Sequence, residues 1–219
     1  MTSRPNQVEP RPAPRLYLVT PPVEDATAFA VPLAAALDAG DVAAVLLRLE
    51  PGDERSLINR AKTLGVVAQN KDVALLLDGN VDLVARSGAD GAHMTGLGKF
   101  TDAVAELKPD RIAGAGGMTS RHDAMTVAEL GADYVMFGEP DAHGERPSFE
   151  AIEERVFWWA EVFEAPCVAF AAGPDEVAPL VKAGADFIAL GDWVWSDPRT
   201  TAVAIAEAAR QLQLPETAA

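Results

Sequence analysis

This sequence has little of several things, and each shortage excludes something. It has one cysteine, Cys167, so no internal disulfide can form, and a cytoplasmic setting is expected. It has three histidines, and no two stand at a spacing such as H-x-x-x-H that would bind zinc. No apolar run reaches the roughly 18 residues of a membrane-spanning helix; the longest, such as Val42–Leu47 and Val73–Leu77, are strand-sized. Positive charge is scarce: 18 Lys and Arg stand against 33 Asp and Glu, a net charge of −15, with no basic run. Such a surface repels nucleic acid and anionic membranes, so neither is an expected partner. Residues 1–14 hold four prolines and no apolar core of a secretory signal, and are expected to be a flexible tail before a folded domain at 15–219.

What the chain does have is alternation. Strand-like runs fall at Arg15–Thr20, Ala43–Leu49, Val73–Asp78, Asp90–Thr95, Arg111–Gly116, Asp133–Gly138, Pro166–Ala171 and Asp186–Gly191. They are mostly continuous apolar runs, the pattern of parallel strands buried on both faces. Helical segments separate them. The tripeptide Gly-Ala-Asp recurs at residues 88–90, 131–133 and 184–186, each time between a helix and a strand, with Ala39-Gly40-Asp41 as a weaker copy. The glycine suits a left-handed helix end and the aspartate opens the next strand. One repeated βα construction, eight times over, predicts a single α/β domain, a (β/α)₈ TIM barrel. A doubly wound sheet would carry a glycine-rich dinucleotide turn after its first strand, and Thr20-Pro21-Pro22-Val23 cannot serve as one.

In a barrel the chemistry sits at the C-terminal strand ends. Arg48 is the charge near the end of an otherwise apolar strand; it would meet either a substrate anion or a structural partner such as Glu50, Asp78 or another acid. Asp78 would ligate a metal, bond a polar substrate edge, or cap the next helix. His93 is either a satisfied core histidine or an acid–base group, and His122 and His143 stand on loops. Gly116 and Gly117 permit close backbone approach to a ligand or form a tight turn. Gly173 and Gly191, with Asp192 beside the latter, precede the last two helices, where barrels often hold phosphate. Arg146 lies in a loop of about nine residues, long enough to suggest a lid, or is a solvated surface arginine. Trp158 is expected to point outward as a subunit interface or under partial cover from neighbouring helices; Trp193 and Trp195 are open between interface, lid and core. A phosphorylated small molecule is the expected ligand, and a homo-oligomer the expected assembly.

The stretches Leu16–Thr20, Val81–Val84 with Gly88–His93, and Gly131–Val135 with Gly138 resemble thiamine-phosphate synthase and its thiazole tautomerase relative. The likeness spans nearly the whole barrel, and Asp90-Gly91-Ala92-His93 is its most specific piece. It implies coupling of a hydroxymethylpyrimidine diphosphate to a thiazole phosphate, with Mg²⁺, releasing pyrophosphate. By the same resemblance Arg48 falls near the diphosphate, Asp78 where the family binds the pyrimidine through asparagine, Arg146 near its diphosphate lysine, and Gly173, Gly191 and Asp192 in the thiazole-phosphate region. Several family residues are replaced. The two metal aspartates correspond to Gly79 and to Leu97-Gly98, the lysine two residues after the arginine is Glu50, and the serine after strand five is Gly116 or Gly117. The threonine-rich loop after strand six is Glu139-Pro140-Asp141-Ala142-His143. The metal ligands are therefore not assigned; Glu139, Asp141 and Asp192 are the carboxylates that would replace them. Two alternatives stand beside the synthase: a non-catalytic barrel that binds a phosphometabolite and regulates, and a thiazole-phosphate tautomerase using His122 or His93.

Overall fold

The computed structural model describes residues 12–141 and 144–213. Eight parallel strands close a barrel in sequence order, with β1 pairing both β2 and β8. They are β1 (Arg15–Val19), β2 (Val42–Leu47), β3 (Ala74–Asp78), β4 (Gly91–Thr95), β5 (Ile112–Gly116), β6 (Tyr134–Phe137), β7 (Cys167–Ala171) and β8 (Phe187–Leu190). The helices are α1 (Ala26–Asp38), α2 (Glu54–Gln69), α3 (Val84–Ser87), α4 (Leu97–Leu107), α5 (Arg121–Glu129), α6 (Phe149–Val162), α7 (Pro174–Lys182) and α8 (Thr201–Leu212). The expected eight-fold barrel is the observed one. Of the tail expected at residues 1–14, only 12–14 are described, and they carry no regular secondary structure.

Strand parity divides the core in two. Tyr17, Val19, Ala44, Leu46, Leu76, Tyr134, Met136, Val168, Phe170 and Ala189 fill the barrel interior. The alternate residues, among them Leu16, Leu18, Val45, Leu47, Leu75 and Leu77, pack outward against the helices.

The Gly-Ala-Asp repeat acts at the other end of the barrel, where strands begin. Gly88, Gly131 and Gly184 take positive φ angles of 76°, 98° and 94° that end the preceding helical turn. Each aspartate then clasps the strand beside its own. Asp90 N–H donates to the Leu75 carbonyl (2.8 Å), and its carboxylate accepts from Leu75 N–H (2.7 Å). Asp133 does the same with Ala113 (2.9 and 2.8 Å), and Asp186 with Cys167 (3.1 and 2.8 Å). Asp41, in the weaker copy, instead holds the Arg15 side chain at 2.8 Å. These carboxylates satisfy N–H groups at the strand starts, ahead of the ladder.

Candidate active site

At the opposite end, the inward parity of β2, β3 and β4 carries polar side chains. Arg48 follows Ala44 and Leu46, Asp78 follows Ala74 and Leu76, and His93 lies between Gly91 and Thr95. Arg48, Asp78, Thr95 and Glu139 share the lining of a cavity of about 70 Å³, with Phe170 and Met136 as apolar wall. Beside it a cavity of about 360 Å³ opens between the loops after β5 and β6, lined by Gly117, Arg146 and Arg155 among others. Glu139 and Met136 line both.

Below the mouth runs a buried polar chain. Tyr17 and Tyr134 hydroxyls lie 2.8 Å apart, Tyr134 Oη is 2.9 Å from His93 Nδ1, and His93 Nε2 is 3.0 Å from Glu139 Oε2. His93 is 1% exposed and the Glu139 side chain 12%. Burial opposes the imidazolium, but the Glu139 charge and hydrogen bond, aided by Asp78, outweigh it and hold His93 above its ordinary pKa. Burial raises both tyrosine pKa values. The remaining Glu139 oxygen, Oε1, is buried with no hydrogen-bond partner. Such an orphan oxygen in a native site calls for a ligand, an ion or a water. Gly116 makes room for the pair: a Cβ there would lie 2.1 Å from Glu139 Oε1 and 2.7 Å from His93 Nε2. Asp78 is pushed up first by burial and also by Glu139, with His93 and Arg48 acting the other way.

Two arginines of the mouth have acidic partners. Arg48 donates to the Thr20 carbonyl and to the Asp192 carboxylate, so its structural partner is Asp192 and not the adjacent Glu50. Arg146 is not a solvated surface residue: its side chain is 17% exposed. It bonds both Glu176 oxygens at 2.9 Å and the carbonyls of Gly138 (3.0 Å) and Phe170 (3.2 Å), tying the loop after β6 to β7 and α7. Glu176 also accepts from Ala172 N–H at 2.8 Å, so a backbone donor beside Gly173 is already engaged. Gly173 caps α7, and Gly191 leads into a 3₁₀ turn, Asp192–Trp195. Trp193 and Trp195 anchor that turn through indole bonds to the carbonyls of Ala171 (3.0 Å) and Val19 (2.8 Å).

Asp78 does not cap the 3₁₀ turn that follows it, which has no side-chain cap. His122 is exposed in the first turn of α5 and lines neither cavity. His143 and Ala142 lie outside the described residues. Trp158 is half-buried, edge-on to Trp159 and Phe163, with the Arg121 guanidinium 4.7 Å from its ring centre. The exposed aromatic of α6 is Phe157. Sequence reasoning assigned no role to Tyr17 or Tyr134 and named Glu139 only as a replacement carboxylate. The available signal was parity: Tyr17 and Tyr134 stand two residues before the inward Val19 and Met136.

The family profile described as thiamine monophosphate synthase matches residues 16–193. The chain belongs to the thiamine monophosphate synthase family. It is 44% identical over 196 residues to the thiamine-phosphate synthase of Rhodospirillum centenum, covering 88% of this chain and 95% of that one. Against the thiamine-phosphate synthase of Hyphomonas neptunium it is 39% identical over 209 residues, with 90% and 93% covered. The fold matches a thiamine phosphate pyrophosphorylase from Pyrococcus furiosus at a TM-score of 0.74 and 21% identity, over 91% and 95% of the two chains. Within the family barrel this chain places Asp78 and Glu139 at the mouth. Among the described residues no group of three or more His, Cys, Asp or Glu is arranged to hold a metal, and no helix is long and apolar enough to cross a membrane.

Proposed function

We propose that this chain joins a hydroxymethylpyrimidine diphosphate to a thiazole phosphate and releases pyrophosphate, as a thiamine-phosphate synthase. The observation that carries the reading is the convergence of Arg48 and Asp78 on one polar cavity at the C-terminal end of a family barrel. The C–O bond to the diphosphate breaks with its electron pair leaving on pyrophosphate, and the thiazole nitrogen lone pair forms the new C–N bond. Arg48 receives the charge that grows on the leaving group, the kind of electrostatic stabilisation that dominates such steps. The carboxylates of Asp78 and Glu139 favour the positive charge left on the pyrimidine side.

The residues present fit Mg²⁺. Glu139 Oε1 is a buried, unpartnered carboxylate oxygen, and Asp78 supplies a second hard donor to the same cavity. Mg²⁺ commonly takes one or two carboxylates and fills its remaining positions with phosphate oxygens and water. Bound there it would offset phosphoryl charge. The reading includes a cytoplasmic location and a homo-oligomer, the latter supported by exposed Phe157 and Val162 on α6. It includes no nucleic-acid or membrane partner.

The test is direct: pure protein, both precursors and Mg²⁺, with thiamine phosphate and pyrophosphate followed together. Equal formation of the two supports the synthase. Binding of thiazole phosphate with no turnover overturns it in favour of a binding barrel.

A further inference from the structure

We propose that Asp192 is a built-in stand-in for the anionic substrate: it occupies Arg48 until a phosphoryl group displaces it, and so sets the anion affinity of the mouth. This rests on the reading of Arg48 as the cation that receives the diphosphate. Among the described residues Arg48 is the one cation lining the cavity of about 70 Å³ that holds Asp78 and Glu139. Its guanidinium is held on two sides of different character. Nε donates to the carbonyl of Thr20, a fully buried residue, and Nη2 donates to Asp192, whose side chain is 72% exposed. The first bond fixes the guanidinium in place. The second is the exchangeable one, because an exposed carboxylate regains its water when it leaves.

The backbone beneath Asp192 need not move for the exchange. Trp193 and Trp195 pin the turn to Ala171 and Val19. Rotation of one short side chain therefore uncovers donors whose planar fork matches phosphate oxygens. Arg146 offers no such opening: Nη1 meets both Glu176 oxygens, Nε and Nη2 donate to the carbonyls of Gly138 and Phe170, and the Arg146 and Glu176 side chains are 17% and 16% exposed. Once displaced, Asp192 remains beside the bound anion and repels it. The same carboxylate retakes Arg48 when pyrophosphate departs, which favours product release.

The experiment is calorimetric titration of inorganic pyrophosphate, with Mg²⁺ in the buffer, into the full chain. Asp192→Asn is expected to bind about three- to tenfold more tightly than the unaltered protein, the range set by one exposed ion pair plus one nearby like charge. Glu161→Gln, which removes the same charge from an exposed position at the C-terminal end of α6, is expected to match the unaltered protein, and Arg48→Gln to lose most binding. Equal affinity in Asp192→Asn overturns the proposal and leaves the role of Arg48 standing. Weaker affinity overturns it too, and is what a metal-holding carboxylate would give. Absence of binding in both the unaltered protein and Asp192→Asn removes the anion role of Arg48, and this proposal with it.

Discussion

The two ends of this barrel use the same residue types for opposite ends. Where strands begin, Asp90, Asp133 and Asp186 each accept a backbone N–H at 2.7–2.8 Å. Where strands end, Asp78 is desolvated, Glu139 keeps one buried oxygen unpartnered, and Asp192 leans out to meet Arg48. An acid whose acceptors are filled by the chain stabilises the fold. An acid whose acceptors are left open, or loosely filled, is available to something else. The contrast agrees with the general division of barrels, in which the strand-end face carries chemistry and the strand-start face stability.

The largest expected effect lies at the strand ends and on rate. Arg48→Gln should lower kcat/KM for synthase turnover by about 10²-fold or more, as loss of a charge-stabilising donor does. Its melting temperature should fall only modestly: the ion pair, with partners 29% and 72% exposed, contributes little, and the Thr20 carbonyl loses one donor. A large drop in melting temperature would place Arg48 with the structural group and blur the contrast.

Next comes a strand-start acid. Asp186→Ala leaves Cys167 N–H, at the head of a buried strand, without its acceptor and should cost about 1–3 kcal/mol in denaturant unfolding. Turnover at low temperature should be untouched. Smaller, and of opposite sign, is Asp78→Asn. Removing a desolvated charge should leave stability equal or raise it by about 0.5–1 kcal/mol while turnover falls. A clear loss of stability would show Asp78 to be structural.

The smallest effect sharpens the comparison with an exception. Asp123 sits near the strand-end face yet completes a reciprocal cap of α5 with Ser120, and Ser120 and Thr119 hold its carboxyl below the ordinary range. A depressed folded-state pKa contributes stability above the unfolded pKa of about 3.9, lost as pH falls through the folded value. Asp123→Ala should flatten the acid limb of a stability–pH curve without altering turnover.

The barrel was legible because its signals are local. Runs such as Val73–Leu77 read as buried strands, and three Gly-Ala-Asp copies marked the same junction. Arg48, Asp78 and His93 could be placed from strand ends alone. What stayed hidden depends on closure. Nothing near Arg48 in sequence announces Asp192, which lies 144 residues away and meets it only because β8 pairs with β1 and β1 with β2. The Glu139–His93 pair likewise needs the bare face of Gly116 on the strand between them. Arg146 read as an available cation because Glu176, its partner, sits 30 residues on, past α6 and β7, in the first turn of α7.

The aspartate clasps also partition the barrel. They join β3 to β4, β5 to β6 and β7 to β8, while Asp41 and Arg15 link β2 to β1. No such aspartate clasp spans β2–β3, β4–β5, β6–β7 or β8–β1 among the described residues. The cylinder is therefore assembled from four stapled quarters with plain ladders at the seams between them. Splitting the chain between β4 and β5 would leave every staple inside one half, whereas a cut one strand earlier would sever one. Fragment complementation and circular permutation should follow those seams.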